Sequence, residues 1–135
     1  MRRTWVLVMV AAALLFNSVS LQAQFEEGGV CTDVLALAGQ ELKAPIDQPD
    51  AAAVLVLHER ALNSLAADNV ESALAFLDAA AQFESLQAET LLYRACAHLS
   101  ADDIDAARAD FEAFTDVSED AMLVARVAAL LSAGT

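Results

Sequence analysis

Residues 57–80 read LHERALNSLAADNVESALAFLDAA, and residues 91–114, which begin 34 positions later, read LLYRACAHLSADDIDAARADFEAF. Laid over one another without a gap they share nine of 24 positions: Leu57/Leu91, Arg60/Arg94, Ala61/Ala95, Leu65/Leu99, Ala67/Ala101, Asp68/Asp102, Ala73/Ala107, Ala75/Ala109 and Ala79/Ala113. Chance in so alanine-rich a chain gives roughly two, so the unit is duplicated and not merely similar in composition. Val70/Ile104, Glu71/Asp105, Leu77/Phe111 and Asp78/Glu112 extend the match conservatively. A third, partial copy closes the chain, where Leu123, Arg126, Leu131, Ser132 and Ala133 echo Leu91, Arg94, Leu99, Ser100 and Ala101.

Within each copy the apolar residues recur at helical spacing. Val54, Leu57, Ala61, Leu62 and Leu65 form one stripe, and Val70, Ala73, Leu74, Leu77 and Ala81 the next. Leu91, Ala95 and Leu99, then Ile104, Ala107 and Phe111, repeat the pair, and Met122, Ala125, Val127, Ala129, Leu130 and Leu131 form a fifth. Asp68-Asn69 and Asp102-Asp103 break the pairs, and strand-like alternation is missing throughout. The expected fold class is therefore all-α. Asp50, just ahead of the first stripe, is expected to cap that helix through its carboxylate.

A 34-residue helix pair with these residues resembles the tetratricopeptide-repeat family. Ala61, Ala95, Ala73 and Ala107 stand where helices must cross closely, and Leu77 and Phe111 where a large apolar side chain fills the gap beside them. The runs 68–73 and 102–107 match the family's turn and second-helix opening. The family's closing Pro is replaced by Ser85 and Glu119, and its aromatic and Tyr positions on the first helix hold Leu57, Leu91, Ser64 and His98. The resemblance spans residues 54–134. It implies two units plus a C-terminal capping helix, in a short right-handed superhelical array, with a groove lined by the first helices.

By the same resemblance the groove residues are Leu55, His58, Glu59, Leu62 and Leu65 on one helix and Glu89, Leu92, Tyr93, Cys96 and Leu99 on the other. Ordinary core packing is the competing account of the leucines, and a solvated rim that of His58, Glu59 and Tyr93. Members that clamp a terminal carboxylate use Lys, Arg and Asn at positions that here hold His58, Leu62, Leu92 and Cys96. A basic or amphipathic peptide or helix is thus the expected partner.

Outward from the repeats, residues 1–23 have the parts of a secretory signal: Arg2 and Arg3, an apolar run over residues 5–16, and Leu21-Gln22-Ala23 at the expected cleavage point, with a retained anchor as the alternative. The run is shorter than the ~20 residues of a membrane span, so no membrane insertion is expected once the signal is removed. The expected location is the periplasm or the medium. Residues 24–50 form a leader with a short helix expected over residues 32–43, ended by Pro45 and Pro49, and residues 51–135 form the repeat domain.

The whole chain carries a net charge of −13. Without residues 1–23 all 20 acids face only Lys43, Arg60, Arg94, Arg108 and Arg126, a net charge of −15. Such a surface repels phosphate backbones and anionic lipid heads and argues against nucleic-acid or membrane-surface binding. Solubility or a salty milieu accounts for it without any partner.

Cys31 and Cys96 remain after export, where disulfides persist. Either they pair, or Cys96 is a small apolar residue on a helix face. Pairing opens a further expectation, that the leader itself lies in the groove.

The sequence offers little catalytic chemistry. His58-Glu59 starts like a zinc-protease helix, but Leu62 stands where the second His belongs. Asp102, Asp103 and Asp105 start like a calcium loop, but the Gly is missing and Phe114 holds the bidentate position. No enzyme activity, metal or cofactor is expected. The expected function is an extracytoplasmic interaction module or accessory subunit; the alternative is a free-standing acidic protein that buffers cations or basic peptides.

Overall fold

Asp68 and Asp102 both adopt the left-handed backbone, with φ of 60° and 59°, a conformation that the short polar Asp tolerates better than most side chains. Around each, the hydrogen bonds agree group for group. Asp68 N–H donates to the Leu65 carbonyl and Asn69 N–H to the Ser64 carbonyl; 34 residues later Asp102 donates to Leu99 and Asp103 to His98. These are the paired bonds of a Schellman motif, which satisfies the last carbonyls of a helix. The next residue then opens the following helix: Asn69 Oδ1 accepts from Ser72 N–H and Asp103 Oδ1 from Ala106 N–H. Each acid-amide or acid-acid break thus ends one helix and caps another within three residues.

The computed structural model describes residues 21–133, so residues 1–20 of the expected signal lie outside the described residues. Every regular element among them is helical. A 3-10 turn at Leu21–Ala23 leads to α1 (Val30–Leu35), α2 (Ala51–Ala66), α3 (Val70–Ala80), α4 (Gln87–Ser100), α5 (Ile104–Val117) and α6 (Ala121–Ala133). The all-α expectation holds. No described helix is long and apolar enough to cross a membrane.

From α2 to α6 each helix packs on the next, and α1 packs on both α2 and α4. Ala61, Ala73, Ala95 and Ala107 are all at most 1% exposed, which is what close helix crossings require, and Leu77 and Phe111 are sealed beside them. Phe114 stands where the first unit has Ala80, and it shares a core cluster with Val127 and Leu130 of α6. The larger side chain fills space at the end where α6 closes the stack.

Two local expectations are corrected. Asp50 does not cap α2: its backbone is left-handed, with φ of 62°, and its side chain makes no capping bond. An N-cap side chain reaches the first-turn N–H groups from an extended backbone; here the Asp50 carbonyl simply accepts from Val54 N–H. The leader helix runs over Val30–Leu35 rather than residues 32–43. It starts earlier because Gln24 Oε1 accepts the Val30 N–H at 2.9 Å. The chain crosses itself so closely there that a Cβ on Gly29 would sit 2.3 Å from the Gln24 carbonyl oxygen. It ends earlier because α2 competes for its donors: Gly39 N–H, at a φ of 79°, donates to Asn63 Oδ1 and Leu42 N–H to Glu59 Oε1. Leu21 and Ala23, ahead of the expected cleavage point, are buried.

Candidate docking cleft

The first helices of the two units, α2 and α4, carry the ten residues expected to line a groove. The structure covers most of them with the leader. Cys31 is bonded to Cys96, and Val30, Cys31 and Val34 of the leader, with Leu21 ahead of it, share one core cluster with Leu62, Leu65, Leu92, Tyr93, Cys96 and Leu99. Glu59 is engaged by the Leu42 N–H. Leu55 stands apart, in a second cluster with Ala51, Val54, Ala80 and Leu86.

His58 and Tyr93 are interior groups and not a solvated rim. His58 Nε2 lies 2.7 Å from Thr90 Oγ1, and that hydroxyl lies 3.1 Å from the Leu86 carbonyl. A carbonyl can only accept, so the single hydroxyl proton goes to Leu86 and His58 Nε2 must donate. Nδ1 is then an acceptor, buried without a hydrogen-bond partner. Burial lowers the His58 pKa to about 4, so the ring is neutral. It meets Tyr93 edge-on at 4.9 Å. Burial, then the charge of Glu89, pushes the Tyr93 hydroxyl up to about 12. This arrangement locks α2 to α4 and offers no reactive group to solvent.

A second polar knot lies on α3, α4 and α5. Arg94 forks onto Asp110 with Nε–Oδ2 and Nη2–Oδ1 distances of 2.8 and 2.9 Å, and reaches Asp78 at 3.3 Å. The hydrogen bond to Asp110 is the main influence that raises the Arg94 pKa further. Phe76 occupies the place equivalent to Asp110 in the first unit, and Arg60 is exposed.

An opening lies where the leader, α4 and α6 meet. It has a volume of about 560 Å³. Val30, Val34 and Leu37 of the leader, Leu92 and Tyr93 of α4, and Leu123 of α6 give it apolar walls, and Met122, 83% exposed, stands beside them. Its charged edge comprises Asp33, Glu89, Asp120 and Arg126. Arg126 Nη1 is held 2.9 Å from Asp33 Oδ2 and its Nη2 bonds the Gly28 carbonyl, so α6 is clamped to the leader.

Of the ten expected groove residues, Glu89, Leu92 and Tyr93 reach this cleft. The eight lining residues that sequence reading missed, among them Asp33, Val34, Met122, Leu123 and Arg126, come from segments outside the two full repeats. Cys31 was their one sequence signal, because a bond to Cys96 brings the leader onto α4. Among the described residues no group of three or more His, Cys, Asp or Glu side chains is placed to hold a metal ion.

Comparison with protein-family models, curated proteins and solved structures finds no match to this chain.

Proposed function

We propose that this chain is a non-enzymatic, tetratricopeptide-like interaction module acting outside the cytoplasm, which docks a segment of another protein in the cleft between leader, α4 and α6. The observation that carries the reading is the cleft itself: an apolar-walled opening of about 560 Å³ with a largely exposed Met122 beside it. Val30, Val34, Leu92 and Tyr93 are buried at its floor, and Leu37, Leu123 and Met122 leave apolar surface at its mouth, the form that a docking site takes. The groove that the resemblance assigns to a partner holds this chain's own leader, so the partner's place moves to the edge where leader and closing helix meet. The signal-like segment and the buried disulfide support an oxidising compartment.

The test is cross-linking from a photoreactive residue at position 122 in intact cells. One specific adduct is expected, lost on Leu123→Asp and kept on Ala75→Lys, which lies on an exposed part of α3. Adducts of equal yield in all three proteins would sink the reading. Screening separates it from a charge-only buffer, because salt weakens surface attraction far more than apolar contact.

A further inference from the structure

Beside the apolar cleft lies a second chamber of different character. Glu89 and Asp120 line both, and the second opening, of about 370 Å³, adds Glu84 and Glu119 with no Lys or Arg among its walls. In the cleft the cation, Arg126, is already committed to Asp33 and the Gly28 carbonyl. Asp120 spends Oδ1 on the Leu123 N–H as the cap of α6, which leaves Oδ2 for an incoming donor. The seam between the two openings is therefore negative, exposed and uncompensated, while the adjoining cleft is greasy.

Resting on the docking reading above, we infer that the occupant is a cationic amphipathic segment of a partner protein. Its apolar side chain seats against Val34, Leu92 and Leu123, and a neighbouring Lys or Arg reaches Glu89, Asp120 and the acidic chamber beyond. Apolar burial supplies most of the affinity, and the carboxylates select the sign of the partner's charge. A free small cation has nothing to bury in the apolar half. An acidic peptide meets four carboxylates at the seam and its continuation, a repulsion that excludes it.

The test uses the disulfide-bonded protein and three synthetic peptides of about 16 residues with one helical pattern: Leu with Lys, Leu with Glu, and Ser with Lys. By fluorescence anisotropy the Leu/Lys peptide should bind at least about tenfold more tightly than either of the others. The triple variant Glu84→Gln, Glu89→Gln, Glu119→Gln should weaken it by about tenfold, because those groups are exposed and contribute modestly one by one. Met122→Lys should abolish its binding; Met122 is exposed, so this variant keeps the fold. Equal binding of Leu/Lys and Leu/Glu, or an unaffected triple variant, overturns the charge selection and leaves apolar docking standing. Binding of neither Leu peptide, undiminished binding to Met122→Lys, or equal binding of Ser/Lys and Leu/Lys overturns the docking reading itself.

Discussion

Cys31 and Cys96 are bonded across 65 residues, and both side chains are fully buried. The bond joins a six-residue helix, too short to persist alone, to the centre of α4. A closed loop of that length limits the unfolded chain enough to stabilise the fold by roughly 4 kcal/mol on the chain-entropy model. Urea unfolding of the oxidised protein against Cys31→Ala/Cys96→Ala should show a loss of that size. The non-reduced, denatured protein should contain no free thiol; two thiols per chain would show that the bond does not form.

His58 gives the stability a pH dependence of definite sign. Its pKa falls from 6.5 unfolded to about 4 folded, so between those values the unfolded chain binds the proton more readily. The stability that the neutral ring contributes is complete above about pH 6.5, is lost as pH falls towards 4, and changes no further below that. Two and a half units correspond to about 3 kcal/mol. Carboxylates also titrate in this window, so the readout is the difference between the wild type and His58→Leu in denaturant unfolding from pH 7 to pH 4. A difference that stays constant with pH contradicts a desolvated, neutral His58.

How much could be read from the sequence follows from which interactions are local. The helix pairs, the Asp68 and Asp102 turns and the small-residue crossings were legible, because they repeat at a fixed spacing and depend on neighbours a few positions away. Asp50 misled: the residue type suits an N-cap, but its backbone is left-handed, with φ of 62°, and its side chain makes no capping bond. The short leader helix was overestimated because its competitors, Asn63 and Glu59, lie 24 and 17 residues away. The cleft was legible only in its α4 half. Its other walls depend on Asp33 meeting Arg126 across 93 residues, which no periodicity records. His58 was expected in the groove or on a solvated rim, yet it is buried and bonded to Thr90, a partner 32 positions on.

Arg94 should discriminate sharply between its two carboxylates. Asp110 is nearly buried and accepts two guanidinium bonds, whereas the Asp78 side chain is 67% exposed and accepts one at 3.3 Å. Asp110→Ala should cost about 2 kcal/mol, because it leaves a partly buried cation without its fork. Asp78→Ala should cost no more than about 0.5 kcal/mol, as exposed pairs do. A double-mutant cycle on Arg94 with each acid measures this directly. Equal coupling energies would mean that the fork is not maintained in solution.

The two helix breaks should behave as one device used twice. Asn69→Ala and Asp103→Ala each remove a side-chain acceptor from the first turn of a helix, and each should cost about 1 kcal/mol. The preceding positions should tolerate glycine but not a branched residue. Asp68→Gly and Asp102→Gly keep the left-handed backbone without strain and should be close to neutral, while Asp68→Val and Asp102→Val force a β-branched residue into it and should cost about 1–2 kcal/mol. Since the two caps share no hydrogen-bond partner, combining Asn69→Ala with Asp103→Ala should add within about 0.5 kcal/mol. Thermal and urea unfolding of the six single variants and the one double variant provide the check. A cost at one break with none at the other would mean that the 34-residue equivalence is one of sequence alone and does not extend to the energetics of the fold.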